Sequence, residues 1–327
     1  MSNNETPFYS YLSQINDADW AKIIDELSPT IHPVDRRATR IWFAFFPVKL
    51  YRALANSPDL EETVKTLLLK GKYRLDDQVD SSAEFLYGHR YWPDVKREVS
   101  EHLAKADTVT PPTAQIRAVA ARIAAKVKAA ESLLVGITAI AFGTLQQVGP
   151  ELFKQPAQPG TYGKNWRRSP DQIVADRAKD DSQGLFGFLK TIDKKFTVTF
   201  REHEPGCKFK IINMQDVTMA ATQDKRDHHA RDARCMPGEG PIPVECRTSA
   251  CGTCWVGVLS PTEKISPPGE RETNKWSYFG YQGFTGESDS PIRLACQIRA
   301  YGNVTIVIPP WNGIISKLEE KEESAAA

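Results

Sequence analysis

The sequence predicts an α+β protein, an N-terminal all-helical domain followed by a C-terminal domain built on a β-sheet. Three observations carry this. Through residues 1–153 apolar residues recur at steps of three and four, the period of helices. From Lys154 to Asn165 the chain turns to KQPAQPGTYGKN, turn-rich and without period, which marks a boundary. Past residue 190, short alternating runs such as FTVTF at 196–200 have the period of strands. A chain of 327 residues suits about two domains.

In chain order, Asp17 or Asp19 can cap a helix carrying Trp20, Ile23, Ile24 and Leu27, which Ser28-Pro29 ends. Asp35 is placed to cap RRATRIWFAFF, and Pro47 to kink or stop it. Leu60 to Leu69 continues the helical pattern up to Gly71. FLYGHRYWPDVK, Phe85 to Lys96, is dense in aromatics. It can be a binding surface or a core patch under a turn, and the tendency of aromatics to bury favours the core.

Pro111-Pro112 opens the longest element, whose stripe runs from Ile116 through Leu134 and Ala141 to Val148. Its first half is amphipathic, with Arg117, Arg122, Lys126 and Lys128 off the stripe. Beyond Glu131 it is apolar nearly all round, which requires burial, and Gly136 and Gly143 mark a break or a close helix contact. Residues 154–190 read as a linker interrupted by a short helix that starts at Ser169-Pro170. FTVTF and Cys207 to Ile212 then make two strands, Met219 to Thr222 enters a helix, and Tyr301 to Pro309 is a closing strand with Val304, Ile306 and Ile308 on one face. The tail, 313–327, is expected to fray from Lys317 onward.

The chemistry concentrates in VECRTSACGTCWVGV, Val244 to Val258, and in RLACQ, Arg293 to Gln297. Cys246, Cys251 and Cys254 are spaced C-x4-C-x2-C, and Cys296 follows after 41 residues. Four thiolates match a [2Fe–2S] cluster, in which each iron takes two protein sulfurs, and the spacing is the plant-type one. Such a cluster is negatively charged, so its loop must bring backbone N–H groups close. Ser249, Ala250, Gly252 and Thr253 are small enough to allow this, and Gly252 can adopt a φ closed to larger residues. Arg247 adds a cation beside the first thiol. Structural zinc is a competing reading, but zinc sites pair two short Cys knuckles and Cys296 has no such neighbour. Disulfides compete too, although nothing else in the chain suggests secretion.

CRTSACGTC, the β-prone WVGVL and LACQ before a last strand resemble the plant-type [2Fe–2S] ferredoxin family over about residues 191–312. That resemblance implies a β-grasp fold opened by the 196–212 hairpin, one [2Fe–2S] cluster on Cys246, Cys251, Cys254 and Cys296, and electron transfer. It further implies that Cys246 and Cys251 hold the iron nearer the surface. The chain departs from the family at Asp224 to Gly240, which is longer than the resemblance requires. It departs again between Cys254 and Cys296, where the surplus is placed in the aromatic and glycine-rich Trp276 to Ser290. His228, His229, Cys207 and Cys235 suggest a second metal site only weakly, because HH-x5-C is not a ligand spacing.

Net charge is +1 and both halves are near neutral, which argues against a nucleic-acid footprint and gives little long-range steering toward a partner. The N-terminus has no basic and apolar leader, and the longest apolar run, Leu133 to Leu145, is 13 residues, short of a membrane span. The expected location is cytoplasmic. No G-x-G-x-x-G after a strand, Walker A or [4Fe–4S] motif is present, so no catalytic site of its own is expected. The expected function is therefore that of an electron-relay subunit of a larger oxidoreductase complex. Residues 1–153 would serve as its docking platform, with the 276–284 aromatics shaping the contact face of the cluster. The alternative is a redox-sensing interaction protein whose cluster reports redox state.

Overall fold

The structure, a computed structural model, describes residues 6–160, 162–163, 166–181, 194–281 and 289–318. It is mixed helix and sheet, with helices in the N-terminal half and the main sheet at the C-terminus. Helices run over Pro7–Leu12 (α1), Asp17–Leu27 (α2), Pro33–Phe45 (α3), Val48–Ala55 (α4), Leu60–Thr66 (α5), Trp92–Leu103 (α6), Pro112–Val127 (α7), Ser132–Phe153 (α8), Pro170–Ala178 (α9), Val217–Ala221 (α10) and Glu270–Phe279 (α11). Strands are Lys70–Gly71 (β1), Lys195–Thr199 (β2), Lys208–Ile212 (β3), Trp255–Val258 (β4), Ile292–Leu294 (β5), Val304–Val307 (β6) and Trp311–Asn312 (β7).

The chain divides into two units: Met1–Asn56 with Arg74–Pro170, and Ser57–Tyr73 with Asp171–Ala327. The expected boundary at 153 thus misses one exchange. Residues 57–73, expected in the helical domain, belong with the sheet. The reason is local: β1 pairs antiparallel with β7, Lys72 N–H donates to Pro310 C=O at 2.8 Å, and Ile314 N–H donates to Leu67 C=O at 2.8 Å. Helix α9, expected to interrupt a linker, likewise belongs almost wholly to the second unit, with Ile173 fully buried.

The first unit is a bundle around α8, against which α1, α3, α4, α6 and α7 pack. The long stripe expected from Pro111 to Val148 is two helices. Lys128 takes a left-handed conformation (φ 55°) that ends α7, and α8 starts afresh at Ser132. Gly136 and Gly143 are not the break but the close contact. A Cβ at Gly136 would lie 2.4 Å from Thr39 Oγ1, and one at Gly143 2.9 Å from Phe43 Cε1, so the two glycines let α3 sit directly on α8. Buried glutamines of α8 tie in the earlier helices. Gln146 accepts from Trp20 Nε1 at 2.7 Å and donates to Ile15 C=O at 2.6 Å, while Gln147 donates to Phe46 C=O at 2.9 Å. The off-stripe cations Arg122 and Lys126 of α7 both reach the buried Glu98 of α6.

Asp35 does not cap its own helix. His32 Nδ1 accepts from Val34 N–H there, and the buried Asp35 carboxylate instead accepts from Tyr87 and Gly88 N–H at 2.7 Å each. That bond holds the Phe85 to Lys96 segment inside, and Leu86, Tyr87, His89 and Trp92 are all buried, as the core reading expects. The 13-residue apolar run lies within α8, which by length and composition is long and apolar enough to cross a membrane, yet most of it is buried inside the protein. Among the described residues, Val109 is the one large apolar side chain of the first unit that is exposed. Neither the aromatic segment nor α8 is therefore available as an apolar anchoring surface.

In the second unit the five-stranded sheet has the order β3-β2-β6-β4-β5. β2 and β3 form the expected antiparallel hairpin, β6 runs parallel to β2, and β4 is antiparallel to both β6 and β5. Val304, Thr305 and Ile306 of β6 are all buried. As the central strand, β6 is covered on both faces and shows no alternation, and Ile308 lies beyond it. Ser316 to Leu318 is helical, and the rest of the expected frayed tail lies outside the described residues.

Two outcomes test the bundle. Gly136→Ala should destabilise the protein by about 1–3 kcal/mol, the range of overpacked cores. Adding Thr39→Ala should recover part of that loss in thermal unfolding, because the Thr39 hydroxyl is the obstructing atom. His89 Nε2 donates to Asp80 C=O at 2.8 Å, and burial pulls its pKa from 6.5 to about 4. The folded imidazole thus stays neutral where the unfolded one takes a proton. Stability should be full above pH 6.5 and fall by about 3 kcal/mol as the pH drops to 4. The decline should be shallower in His89→Gln when melting is followed against pH.

Candidate metal centre

The sheet register brings the two cysteine segments together. Trp255 pairs with Leu294 across β4 and β5, and Ala295 N–H donates to Cys254 C=O at 2.9 Å. A 3-10 turn, Ala295–Gln297, then carries Cys296 back beside Cys254. From the other side comes the loop Cys246 to Cys254, with Arg247, Ser249 and Gly252 in the left-handed region (φ 55°, 63° and 65°). Such residues in a short loop aim successive N–H groups inward, making a concavity for negative charge. Thr248 and Cys251 N–H point at Cys246 Sγ (3.4 and 3.3 Å), and Ser249 N–H is directed at Cys296. Side chains add Thr253 Oγ1 to Cys251 Sγ at 3.1 Å and Gln297 Nε2 to Cys296 Sγ at 3.3 Å.

All four sequence-predicted thiols therefore converge. They interact as two hydrogen-bonded pairs, Cys246 with Cys251 and Cys254 with Cys296, and none is in a disulfide. Burial pushes the Cys246 thiol up, but the Thr248 N–H and the Cys251 thiol outweigh it and bring it down to about 6. In the inner pair, Cys254 donates to Cys296 and is held well above its ordinary value, with burial adding to the rise. Cys296, accepting that bond, comes down to about 7 against its burial. One thiol of each pair, Cys246 and Cys296, is thereby favoured as the thiolate. Cys254 and Cys296 are 2% and 5% exposed while Cys246 and Cys251 are half-buried, so the set opens to solvent on the Cys246 side.

Gly252 is required here on two counts. Its φ is left-handed, and a Cβ would lie 2.1 Å from Phe279 Cε1. Phe279 ends α11 and packs against the loop, with Trp255 and Tyr281 edge-on around it (Trp255 to Phe279 5.7 Å, to Tyr281 4.9 Å). This corrects one expectation. Trp276, Phe279 and Tyr281 are buried supports of the loop, not an exposed contact face; Tyr278 is the exposed member, and residues 282–288 of the surplus lie outside the described residues. Nor is Arg247 a free cation beside the first thiol, since it pairs with Glu239 and reaches Thr218 Oγ1 and Met219 Sδ.

One buried ion pair beside the site escaped the sequence reading. Arg293 and Glu272 form a two-pronged ion pair (2.8 and 2.9 Å) with side chains 1% and 0% exposed. Glu272 also accepts from Leu294 N–H at 2.7 Å, and Arg293 donates to Ser266 C=O at 2.9 Å. Helix α11 is thereby fastened to β5 just ahead of Cys296. An arginine inside an apolar strand was the available signal.

Cys207, Cys235, His228 and His229 each engage a different partner. Cys207 Sγ meets Glu204 Oε2 at 3.4 Å and Arg231 Nη1 at 3.6 Å. Cys235 donates to Pro241 C=O at 3.3 Å, and burial pushes its thiol up to about 12. His228 lies 3.1 Å from Asp224, and His229 Nδ1 faces Cys235 C=O. The four do not gather as a ligand set.

Comparison with protein-family models, curated proteins and solved structures finds no match to this chain.

Glu272→Gln should leave Arg293 without its counter-charge and cost about 3–5 kcal/mol, the penalty for breaking a buried pair. Replacing both together, Glu272→Leu with Arg293→Met, should recover much of that in equilibrium unfolding. A Glu272→Gln protein as stable as the parent would refute the role given to the pair.

Proposed function

We propose that the second unit is a plant-type ferredoxin domain of β-grasp topology that holds one [2Fe–2S] cluster and passes single electrons. The observation that carries this reading is the convergence of Cys246, Cys251, Cys254 and Cys296, in two pairs, under inward-pointing N–H groups. The strand order supports the β-grasp part: an opening hairpin, a parallel β6 beside β2, and β4 and β5 completing a mixed sheet. The donor set fits the group. It is all sulfur and arranged as one pair for each of two irons, which a single tetrahedral zinc would not require.

When bound, a [2Fe–2S] group supplies one-electron chemistry and no substrate transformation of its own. The rest is the work of the chain. Cys254 and Cys296 would ligate on the buried side, where they are nearly closed to water. Cys246 and Cys251 would ligate on the half-open side, leaving a short approach for a redox partner. Loop N–H groups offset negative charge on the sulfurs, which stabilises the reduced form most.

All six cysteines lie in the second unit, so the helical unit adds no thiol. We assign it the docking of the carrier within a larger oxidoreductase complex, through its polar surface because its apolar residues are buried. Truncation is a poor probe of this assignment, since removing the N-terminal half also removes α5 and β1 from the second unit.

The full-length protein should bind two irons and two labile sulfides and give the rhombic paramagnetic signal of a plant-type centre on reduction, with a potential on the order of −400 mV. Serine at Cys246, Cys251, Cys254 or Cys296 should weaken or abolish the signal, whereas Cys207→Ser and Cys235→Ser should leave it intact. One equivalent of zinc without labile sulfide would sink the proposal.

A further inference from the structure

We infer that the side chain of Gln297 donates a hydrogen bond to the thiolate of Cys296 and raises the potential at which the centre takes up its electron. This rests on the [2Fe–2S] reading above. Gln297 Nε2 lies 3.3 Å from Cys296 Sγ and 3.0 Å from Cys296 C=O. Both neighbours are acceptors once the thiol is a ligand. An amide NH₂ carries two protons, one for each, whereas the amide oxygen turned to the same place would face two acceptors with none. The contact therefore fixes the amide orientation.

The placement is held from both sides. Gln297 closes the 3-10 turn after β5, and its own carbonyl accepts from Ser266 Oγ at 3.3 Å. Cys296 is 5% exposed, so water has little access to its sulfur, and the Ser249 N–H is a main-chain donor to it. In such a setting one side-chain donor carries more weight than on an open surface. On reduction one electron enters the centre from an external one-electron reductant, no proton leaves Gln297, and negative charge on the ligand sulfurs increases. A hydrogen bond to that sulfur strengthens as the charge grows, which favours the reduced state. The Thr248 and Cys251 donors at Cys246 are main-chain groups that a side-chain substitution leaves in place. Gln297 is thus a residue at which the potential can be set without rebuilding the loop.

The test is a redox titration of the full-length protein as wild type, Gln297→Met and Gln297→Glu, followed by visible absorbance and the paramagnetic signal. Both variants should retain two irons, two sulfides and the parental line shape. At a fixed ambient potential, the ratio of reduced to oxidised centre should fall about five-fold in Gln297→Met, as this hydrogen bond to a thiolate strengthens on reduction by an amount on the order of one net hydrogen bond. It should fall further in Gln297→Glu, which adds a negative charge. A purely structural Gln297 would change melting or cluster lifetime and leave the ratio alone. A loaded Gln297→Met protein with the parental ratio overturns the inference while leaving the cluster assignment standing. A wild type without labile sulfide overturns both. Should neither variant load, wild-type protein labelled with 15N in its glutamine side chains decides the matter. A nitrogen coupling to the reduced centre supports the inference, and its absence overturns it.

Discussion

Arg293 and Glu272 meet where neither side chain touches water. Withdrawing two charges from solvent costs several kcal/mol per ion, so such a pair is stable only with good geometry and every remaining hydrogen-bonding group satisfied. Here a two-pronged contact is completed by Leu294 N–H and Ser266 C=O. The pair sets where β5 lies against α11, and two things follow from that. The fourth thiol sits two residues beyond Leu294, and Phe279 lies over the loop of the other three at the end of α11. Loop and turn are thus registered through one buried contact between a helix and a strand, with Trp276 Nε1 bonded to Ile292 C=O at 3.1 Å as a second fastening.

Around the thiols the attractive groups are mostly backbone. The nearby guanidinium of Arg247 spends its charge on Glu239, so the concavity owes its character to dipoles held by left-handed residues. Non-glycine residues at positive φ cost free energy, and Arg247 and Ser249 both sit there. The packing of Phe279 and the β4–β5 pairing on either side hold the loop in that shape.

The sequence was most legible where chemistry restricts residue choice. Cys spacing singled out Cys246, Cys251, Cys254 and Cys296, which lie together in the structure, and Gly252, whose left-handed φ the loop requires. The hairpin was legible because FTVTF and the strand after it alternate. Context decided what remained. Periodicity runs unbroken past Lys128, yet the chain reverses there, since the pattern records which face is buried and not whether the helix axis continues. Asp35 stands at a capping position, but two N–H groups distant in sequence compete for its carboxylate and win. Trp276, Phe279 and Tyr281 resemble a surface patch by composition, and only tertiary packing reveals that they are buried. Leu60 to Gly71 has too short a pattern to say which core it joins.

That last segment has a consequence for how the molecule is made. Among the described residues, β1 is the first strand in the chain and its partner β7 is the last. The helical unit has most of its own chain early, and N-terminal portions can begin to fold during synthesis. Residues 57–73 then wait as an excursion from that bundle until Trp311 and Asn312 appear. Bringing ends so far apart in sequence together carries a loop-closure cost that early structure can reduce. The thiol set has the same timetable, because Cys296 emerges only shortly before β7. A ribosome halted between Cys254 and Cys296 leaves three thiols without their fourth and β1 without its mate. The four thiols therefore come together only after Cys296 has been made, and a gene split between the two halves would put the partners of one strand pair on different polypeptides.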